Sequence, residues 1–389
     1  MAPLLLTPSA EAARSRTSEP SDPHFDPATA SAITTTPPLD FVLPPSLEAH
    51  EPPEHDGRPR DDVRLLVASA SHPSVDHSTI GDLADWLKPG DLLVVNTSAT
   101  LPAALTGQRR SHSGRFIEPV LAHLATPLPG GLWLAELRRP APHGNEPLRD
   151  AEVDDVVELD AHGELHLVAP WRPAPPNGGT RLWVVEPDLE QPVESYLVAH
   201  GRPIQYRATP RPVDIDAYQS IFSRTPGSAE MPSAARPFTP PIVTELATQG
   251  VLVAPLLLHT GVSSLEEGEE PPIERYDVPA STAALVDHVH DRGGTVVAVG
   301  TTVVRALETT ADASGRSHPG RGWTDVVLSP QRPTRVVDAL ITGWHEPRSS
   351  HLRLLESVAG REVLERSYAE ALAQSYRWHE FGDLHLILP

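Results

Sequence analysis

Apolar and polar residues follow two different periods along this chain, and one short stretch contains both. Residues 295–299 form a continuous apolar and β-branched run, which is typical of a strand covered on both faces in a parallel sheet. Gly300, Thr301 and Thr302 follow as a turn. Apolar residues then recur at helical spacing, at Val303, Val304, Ala306 and Leu307. The stretch therefore predicts a buried strand, a tight turn and a helix.

Strands and helices alternate in the same way on both sides of a different middle segment. Apolar runs predict strands at 64–70, 92–95, 251–258, 325–328, 336–341 and 384–388. Helical patterns cover 78–87, where Ser78 is the predicted cap, 193–200, 242–248 and 280–292, with two more helices between residues 350 and 376. We therefore predict an α/β fold, with a mixed sheet covered by helices.

Residues 99–186 have a different texture, with short strands at close spacing and Gly, Pro and Asp between them. The strands fall at 117–124, 131–137, 153–159, 164–168 and 181–185. This pattern predicts a small antiparallel barrel or sandwich, inserted into an α/β domain made of residues 39–98 and 187–389. Residues 1–38 are rich in Ala, Ser, Thr and Pro without apolar periodicity, which predicts a disordered tail.

Composition and charge exclude several classes of chemistry. The 389 residues include no cysteine, which excludes disulfides, thiolate metal sites and thiol nucleophiles. No apolar stretch approaches the ~20 residues that cross a bilayer, so we expect a soluble cytoplasmic protein. The net charge of −21 is opposite to the basic surface of most nucleic-acid binders. An RNA partner would have to meet a local basic patch, and the densest arginine group in the insert is Arg109, Arg110, Arg115, Arg138 and Arg139.

Polar residues directly follow four of the predicted strands. They are Asn96, the pair His259 and Gly261, the turn at 300–302, and the pair Thr342 and His345. Each could be an ordinary loop residue, and either threonine of the turn could be only a helix N-cap. Because ligands of open α/β sheets bind at the carboxyl ends of strands, where a helix N-terminus offers N–H groups to an anion, the four ends together predict a pocket.

Of two further features, one has two open interpretations and the other does not indicate a site. Gly227 and Ser228 belong to a segment rich in Gly, Ser and Pro, which either lets backbone approach a ligand or only connects two elements. His288 and His290 are two residues apart on a predicted helix, so they do not share a face, and no metal site is predicted there.

Several segments match one known sequence pattern in order. Residues 298–308, AVGTTVVRALE, follow the pattern AVGTTSVRxLE almost letter for letter. Further matches are 92–96 with 101–103, 218–222, Gly227-Ser228 with Pro232, Phe238-Thr239, His259 with Gly261, Glu274 with Tyr276, 337–342 with His345 and Pro347, and 376–377 with Gly382-Asp383. By these motifs, from about residue 40 to residue 388, the chain resembles the S-adenosylmethionine:tRNA ribosyltransferase-isomerase family of queuosine biosynthesis.

The chain also departs from the pattern of that family. The family's NDTR reads NTSA at 96–99, its PTAGLHFT reads PSAARPFT at 232–239, its MHxE reads PPIE at 271–274, and its NFHLPxST reads GWHEPRSS at 343–350. The losses lie in segments expected to face substrate, whereas the turn at 300–302 is intact.

The resemblance implies an α/β domain interrupted by a small antiparallel β-barrel. It implies that S-adenosylmethionine serves as a ribosyl donor, with adenine and methionine leaving and the sugar rearranging on 7-aminomethyl-7-deazaguanine in tRNA. A sulfonium acidifies the neighbouring C5′ protons, so a base is needed near them; the candidates are His259, Glu274 and His345. The implied contacts to S-adenosylmethionine are Asn96, Gly227, Ser228, Phe238, Thr239, Gly261, Gly300, Thr301, Thr302, Arg305 and Asp383. No metal is expected, and we expect a monomer.

Three hypotheses of function stay open from the sequence alone. The first is the family reaction on tRNA. The second is an enzyme that cleaves S-adenosylmethionine or transfers from it to a small acceptor such as a free deazapurine, which the acidic charge and the lost motif residues favour. The third is a catalytically silent relative that binds S-adenosylmethionine or its products, against which the retained His259, Glu274 and His345 argue.

Overall fold

The structure, a computed structural model, describes residues 37–114, 117–172, 179–207, 209, 211–262 and 270–389. Almost all of the predicted tail at 1–38 and Arg115 of the arginine group lie outside these residues. Residues 38–389 form one compact unit.

Among the described residues, three strands and three 3₁₀-helices precede the insert. β1 spans Arg64–Ser69, β2 spans Val75–Thr79 and β3 spans Leu92–Asn96. The predicted helix at 78–87 is a 3₁₀-helix at Ile80–Trp86. Ser78 is not its cap: Thr79 is, because the side chains of Thr79 and Asp82 each bond the other's backbone N–H. Shorter 3₁₀-helices lie at Pro45–Leu47, Pro53–Asp56, Pro129–Gly131, Ile215–Tyr218 and Ser233–Ala235.

The insert forms a closed barrel. After β4 (Ser98–Thr100) come β5 (Ala104–Arg110), β6 (Ile117–Pro127), β7 (Trp133–Ala141), β8 (Gly144–Pro147), β9 (Val156–Leu159), β10 (Glu164–Pro170) and β11 (Leu182–Asp188). These last seven strands pair antiparallel in the order β11-β10-β9-β5-β6-β7-β8, and β11 also pairs with β7. That pairing closes six of the described strands into a barrel, which decides between the two predicted alternatives.

Strand β5 of the barrel was not predicted from the sequence, because the buried positions of this strand are not all apolar. The buried residues of β5 are Leu105, Gly107 and Arg109. Arg109 is buried because carboxylates surround its guanidinium, those of Glu118, Asp150 and Asp155 at 2.8–3.3 Å. A strand whose buried face includes a glycine and a paired arginine lacks the alternation that sequence reasoning relies on.

The sheet domain resumes after the barrel. Its elements are α1 (Val193–His200), β12 (Thr225–Ser228), α2 (Pro240–Thr248), β13 (Leu252–Leu258), β14 (Glu274–Val278), α3 (Ala280–Asp291), β15 (Val296–Val299), α4 (Thr301–Thr310), β16 (Gly320–Thr324), β17 (Ala339–Gly343), α5 (Ser350–Ala359), α6 (Arg361–Ala373) and β18 (Leu384–Leu388). The prediction of a strand at 325–328 is wrong, because the strand in this region, β16, ends at Thr324. The Val326 carbonyl accepts a hydrogen bond from the Arg305 side chain at 3.2 Å instead of from a neighbouring strand.

The topology of the main sheet brings four strand ends together. Nine strands of the described residues form it, in the order β16-β14-β13-β3-β15-β17-β18-β1-β2. β13, β3, β15 and β17 are parallel neighbours, whereas β18 runs antiparallel to β17. Because parallel strands end at the same edge of a sheet, the polar residues after these four strands meet there, as predicted.

Alternate residues of the central strands pack on opposite faces of this sheet. Leu92 and Val94 of β3 belong to one core, with residues of α3 to α6. Leu93 and Val95 belong to a second core, with residues of α2 and of the 3₁₀-helix at Ile80–Trp86. Cover on both faces explains why these strands appear in the sequence as continuous apolar runs.

Candidate active site

A cavity of ≈ 580 Å³ lies at the edge of the sheet where the four parallel strands end. Thr260, residues 300–302 and residues 342–346, which follow or end β13, β15 and β17, line it. The other walls include residues 48–50, 205–207, 230–234 and 379–380. This volume is within the range of small-molecule sites in proteins.

The turn at 300–302 forms one wall and begins a helix. Gly300 has φ 94° and ψ 153°, a conformation open essentially only to glycine. Its N–H donates to the Ile341 carbonyl at 2.8 Å, which ties the turn to β17. Asn96 does not line the cavity, but its Nδ2 donates to Thr302 Oγ1 at 3.3 Å. Helix α4 begins at Thr301, and the first N–H groups of an α-helix have no acceptor four residues earlier, which is the geometry that an anion would use.

Gly300 is required by its backbone conformation and not by a lack of space. A Cβ there would meet Thr302 Oγ1 at 3.5 Å and Ala234 Cβ at 3.6 Å, which are ordinary contacts. We therefore expect Gly300→Ala to lower the free energy of unfolding by about 1–3 kcal/mol, measured by urea denaturation. Gly322→Ala is the matched control, since Gly322 has no positive φ and an added Cβ would meet only Tyr276 Cε1 at 3.9 Å. Equal losses in both variants would contradict this account of Gly300.

Glu274 and Arg305 form a buried ion pair at the edge of the cavity. The Arg305 guanidinium donates to Glu274 Oε2. It also donates to three backbone carbonyls at 3.2–3.4 Å, those of Pro272, Thr324 and Val326. Glu274 Oε1 accepts the Gly261 N–H at 3.0 Å. Both side chains line the cavity, but these bonds within the protein occupy much of their polar surface.

His259 lies just behind the cavity lining, in a chain of hydroxyl contacts. Its Nδ1 is 2.7 Å from Ser98 Oγ, which is 2.6 Å from Ser228 Oγ. A Cβ on Gly227 would come within 2.4 Å of the imidazole ring, so the ring packs directly on that glycine. Burial, and then the charge of Arg275, lower the pKa of His259 to about 4. The structure therefore groups His259 with Gly227 and Ser228.

His345 lies on the cavity wall after β17. Its Nε2 shares a hydrogen bond of 3.0 Å with Thr342 Oγ1, and its ring stacks on His351 with centroids 4.5 Å apart. Burial and neighbouring histidines hold the pKa of His345 well below its usual range, so the imidazole is neutral at physiological pH. His345 is therefore the one predicted base that both lines the cavity and is not in an ion pair.

Besides Asn96, Gly227 and Ser228, four more predicted contacts lie outside the cavity lining, in packing or backbone roles. Phe238 is fully buried in the core that contains Leu93. The Thr239 hydroxyl donates to Asp61 at 3.1 Å, and the Gly261 N–H bonds Glu274. The Asp383 carboxylate accepts the backbone N–H of Arg64 at 2.9 Å and of Arg377 at 2.8 Å. Contact of these residues with a ligand stays a prediction.

Comparison with known proteins decides the family. The model of the queuosine biosynthesis protein family matches residues 36–387. The S-adenosylmethionine:tRNA ribosyltransferase-isomerase of Moorella thermoacetica is 36% identical over 361 residues, which cover 90% of this chain and 98% of that protein. The chain belongs to this family. The enzyme of the same name from Symbiobacterium thermophilum is 33% identical over 378 residues, with the same coverage of both chains. The crystal structure of S-adenosylmethionine tRNA ribosyltransferase from Thermotoga maritima aligns with a TM-score of 0.48 at 27% identity, over 90% of this chain and 99% of that one.

Sequence reasoning missed several titratable residues in the cavity of this ribosyltransferase-isomerase family member. They are Tyr206, Glu230, Glu346, His351, His379 and Glu380. The Tyr206 hydroxyl donates to Glu230. Burial, together with Glu230 and Glu346, raises the pKa of Glu380 to about 8. The positions of three of them in the sequence could have indicated their role: Glu346 follows His345, and His379 and Glu380 stand just before the matched Gly382-Asp383.

The described arginines of the predicted basic group are paired with carboxylates. Besides Arg109, Arg138 lies within 2.5 Å of the fully buried Glu136. Arg110 and Arg139 pair with carboxylates at 2.6 and 3.0 Å. These four arginines form ion pairs within the barrel, so they offer little unpaired charge to a polyanion.

The described ranges contain neither a candidate metal site nor a membrane-spanning helix. No group of three or more His, Asp or Glu side chains there is arranged to hold a metal ion. No helix among those residues is long and apolar enough to cross a membrane.

Proposed function

We propose that this enzyme transfers the ribosyl moiety of S-adenosylmethionine onto 7-aminomethyl-7-deazaguanine in tRNA and isomerises it, releasing adenine and methionine. The observation that carries the proposal is the meeting of the α4 N-terminus and the neutral His345 in one cavity. The donor combines a carboxylate, which suits a helix N-terminus, with acidic C5′ protons, which require a base.

The donor carboxylate is assigned to the first turn of α4. Thr301 and Thr302 line the cavity there, and their N–H groups belong to the helix end that carries partial positive charge. Thr302 is held by Asn96, so its hydroxyl is oriented before the ligand binds. Arg305, on the same helix, adds positive charge behind the turn.

His345 is the proposed base at C5′. The other two candidate bases are less suitable. Glu274 already bonds Arg305 and the Gly261 N–H, and His259 lies behind the cavity lining. A neutral imidazole that faces the cavity needs no prior loss of a proton before it acts as a base. Its hydrogen bond to Thr342 and its stacking on His351 fix the orientation of the ring.

The acceptor base of the tRNA must leave its stack to reach the cavity. Arg207 and Arg348 line the cavity, and their side chains are 61% and 53% exposed. Such arginines suit contacts to the phosphates next to the acceptor, which position RNA without specifying its sequence. Because the proposed acceptor lies in tRNA, we place the reaction in the cytoplasm.

The proposal predicts the products of a single incubation. With S-adenosylmethionine and a tRNA that carries 7-aminomethyl-7-deazaguanine, the full chain is expected to release adenine and methionine in equal amounts and to add the ribosyl-derived mass to the RNA. Mass spectrometry of the small molecules and of the digested RNA measures both. Two incubations are the controls: one without RNA, and one with the free deazaguanine base in place of RNA. Modification of the free base alone would exclude tRNA as the acceptor, and binding without adenine release would exclude the reaction.

A further inference from the structure

A second pair of histidines lines the cavity, on a wall formed by Glu48, His50, Glu346 and His379, here called the histidine wall. The rings of His50 and His379 stack with centroids 5.4 Å apart. Glu48 Oε2 lies 2.8 Å from His50 Nε2 and 3.9 Å from His379 Nε2. Glu346 Oε1 lies 3.5 Å from His379 Nδ1. Each ring nitrogen of His379 therefore faces a carboxylate oxygen.

Distant segments of the chain hold the histidine wall together. The Trp378 N–H donates to the Leu47 carbonyl at 2.8 Å and the Ala49 N–H donates to the Trp378 carbonyl at 2.9 Å, which places Glu48 beside His379. His379 has a φ of 72°, a left-handed conformation that few residues other than glycine adopt. Its carbonyl accepts the Gly382 N–H at 3.0 Å. Backbone strain of this kind, held in place by surrounding bonds, is concentrated at functional sites.

The proposed reaction removes protons from two different atoms. One leaves C5′ of the donor, and His345 is assigned to it. The other leaves the amino group of the acceptor, which is an ammonium at neutral pH and cannot bond to carbon until a proton is lost. A base for this second proton must receive it from a cation and become a cation itself.

His379 has the surroundings that the second proton requires. The groups that act on His345 are other histidines, which oppose a positive charge on it: His351, His379 and His385. By contrast, His379 lies between the carboxylates of Glu48 and Glu346, which attract an ammonium and offset part of the cost that burial imposes on an imidazolium. We propose that His379, positioned by Glu346, is a further catalytic residue, which accepts the proton of the acceptor's amino group as its nitrogen bonds to the sugar. This inference rests on the proposed function.

The step balances without another reactant. One N–H bond of the ammonium gives its proton to His379, and the electron pair left on nitrogen forms the new N–C bond. The sugar carbon that is attacked gives up another bond, whose electron pair leaves with the departing group. His379 then passes the proton to solvent, so each transfer releases one proton from the acceptor nitrogen.

The charges around His379 leave it ready to accept a proton. Burial lowers its pKa to about 4, and the charge of Glu48 acts in the opposite direction, so the ring is neutral at physiological pH. The other titratable or charged groups that face it are His50, Arg207, His345, Glu346 and the adjacent Glu380.

The variant His379→Asn tests the inference. Asparagine tolerates the left-handed conformation, so the variant should fold like the parent. At pH 7 we expect transfer to the acceptor to fall about 10²–10⁴-fold, while the dissociation constant of S-adenosylmethionine, measured by calorimetry, changes little. The rate of the variant should then rise about tenfold per pH unit above pH 7, because the free amine fraction of the acceptor rises by that factor. The parent should show no comparable rise.

Two further variants separate catalysis from structure. Glu346→Gln keeps the ring of His379 but removes a carboxylate, so it should show a smaller loss of rate with the same direction of pH rescue. His166→Asn is the matched control: this ring lies 3.3 Å from Glu164 on the barrel, outside the cavity lining, and its loss should leave the rate unchanged. A parental rate in His379→Asn, or a loss with no pH rescue, overturns the inference alone. Failure of the parent chain to transfer to any acceptor overturns both this inference and the proposed function.

Discussion

Replacing Arg305 by methionine is expected to lower the free energy of unfolding by about 3–5 kcal/mol, because it leaves a buried carboxylate without its partner. The side chains of Arg305 and Glu274 are only 8% and 7% exposed. Arg305 also satisfies backbone carbonyls on segments that flank the cavity, including those of Pro272 and Val326. Each buried carbonyl that loses its donor adds to the loss. Urea denaturation followed by circular dichroism measures the change.

Two further variants are compared with Arg305→Met: one also replaces its partner Glu274, and the other breaks an exposed ion pair. The double variant Arg305→Met with Glu274→Leu removes both charges, so we expect it to recover a large part of the stability. Arg321→Met breaks a 2.8 Å pair with Asp277, but the Arg321 side chain is 75% exposed, so the loss there should stay within about 1 kcal/mol. An Arg305→Met chain as stable as Arg321→Met would contradict the structural importance of the buried pair.

The place of the candidate site could be predicted from the sequence because it depends on topology. Runs such as 92–95 and 295–299 are apolar or β-branched throughout, which is typical of strands covered on both faces of a parallel sheet. Parallel strands end at one edge, so the polar residues that follow them had to converge. The position of Gly300 between a strand and a helix was predictable for the same reason, and its φ of 94° agrees with it.

The arrangement of the side chains could not be predicted, because it depends on partners that are distant in sequence. Arg305 was expected to contact S-adenosylmethionine, but nothing in the sequence marks its ion pair with Glu274 on β14. The arginines of the barrel were expected to form a basic patch, but the sequence does not show that most of their carboxylate partners lie elsewhere in the barrel: Glu118 on β6, Glu158 on β9, and Asp150 and Asp155 in loops. The histidine wall joins Glu48 near one end of the chain to His379 near the other. No periodicity in the sequence marks such a contact.

His345 has the largest expected effect on catalysis. Its backbone is held independently of its ring: the N–H donates to the Tyr368 hydroxyl at 3.3 Å, and the carbonyl accepts the Trp378 Nε1–H at 3.2 Å. Replacement of the side chain should therefore leave the loop after β17 in place. Asparagine is the substitution of choice, because its amide can still bond the Thr342 hydroxyl.

We expect His345→Asn to lower kcat about 10²–10⁴-fold while S-adenosylmethionine binds with nearly parental affinity, since a base acts on the transition state more than on the bound donor. Adenine release in single-turnover experiments and calorimetry measure the two quantities. Unlike His379→Asn, this variant should not recover at high pH, because deprotonation of the acceptor amine does not remove the C5′ proton. Since the pKa of His345 is held well below 6.5, protonation of this residue should not produce a pH–rate limb near 6.5 in the parent. A limb at that pH that disappears in His345→Asn, or an unchanged kcat, would contradict the role assigned to it.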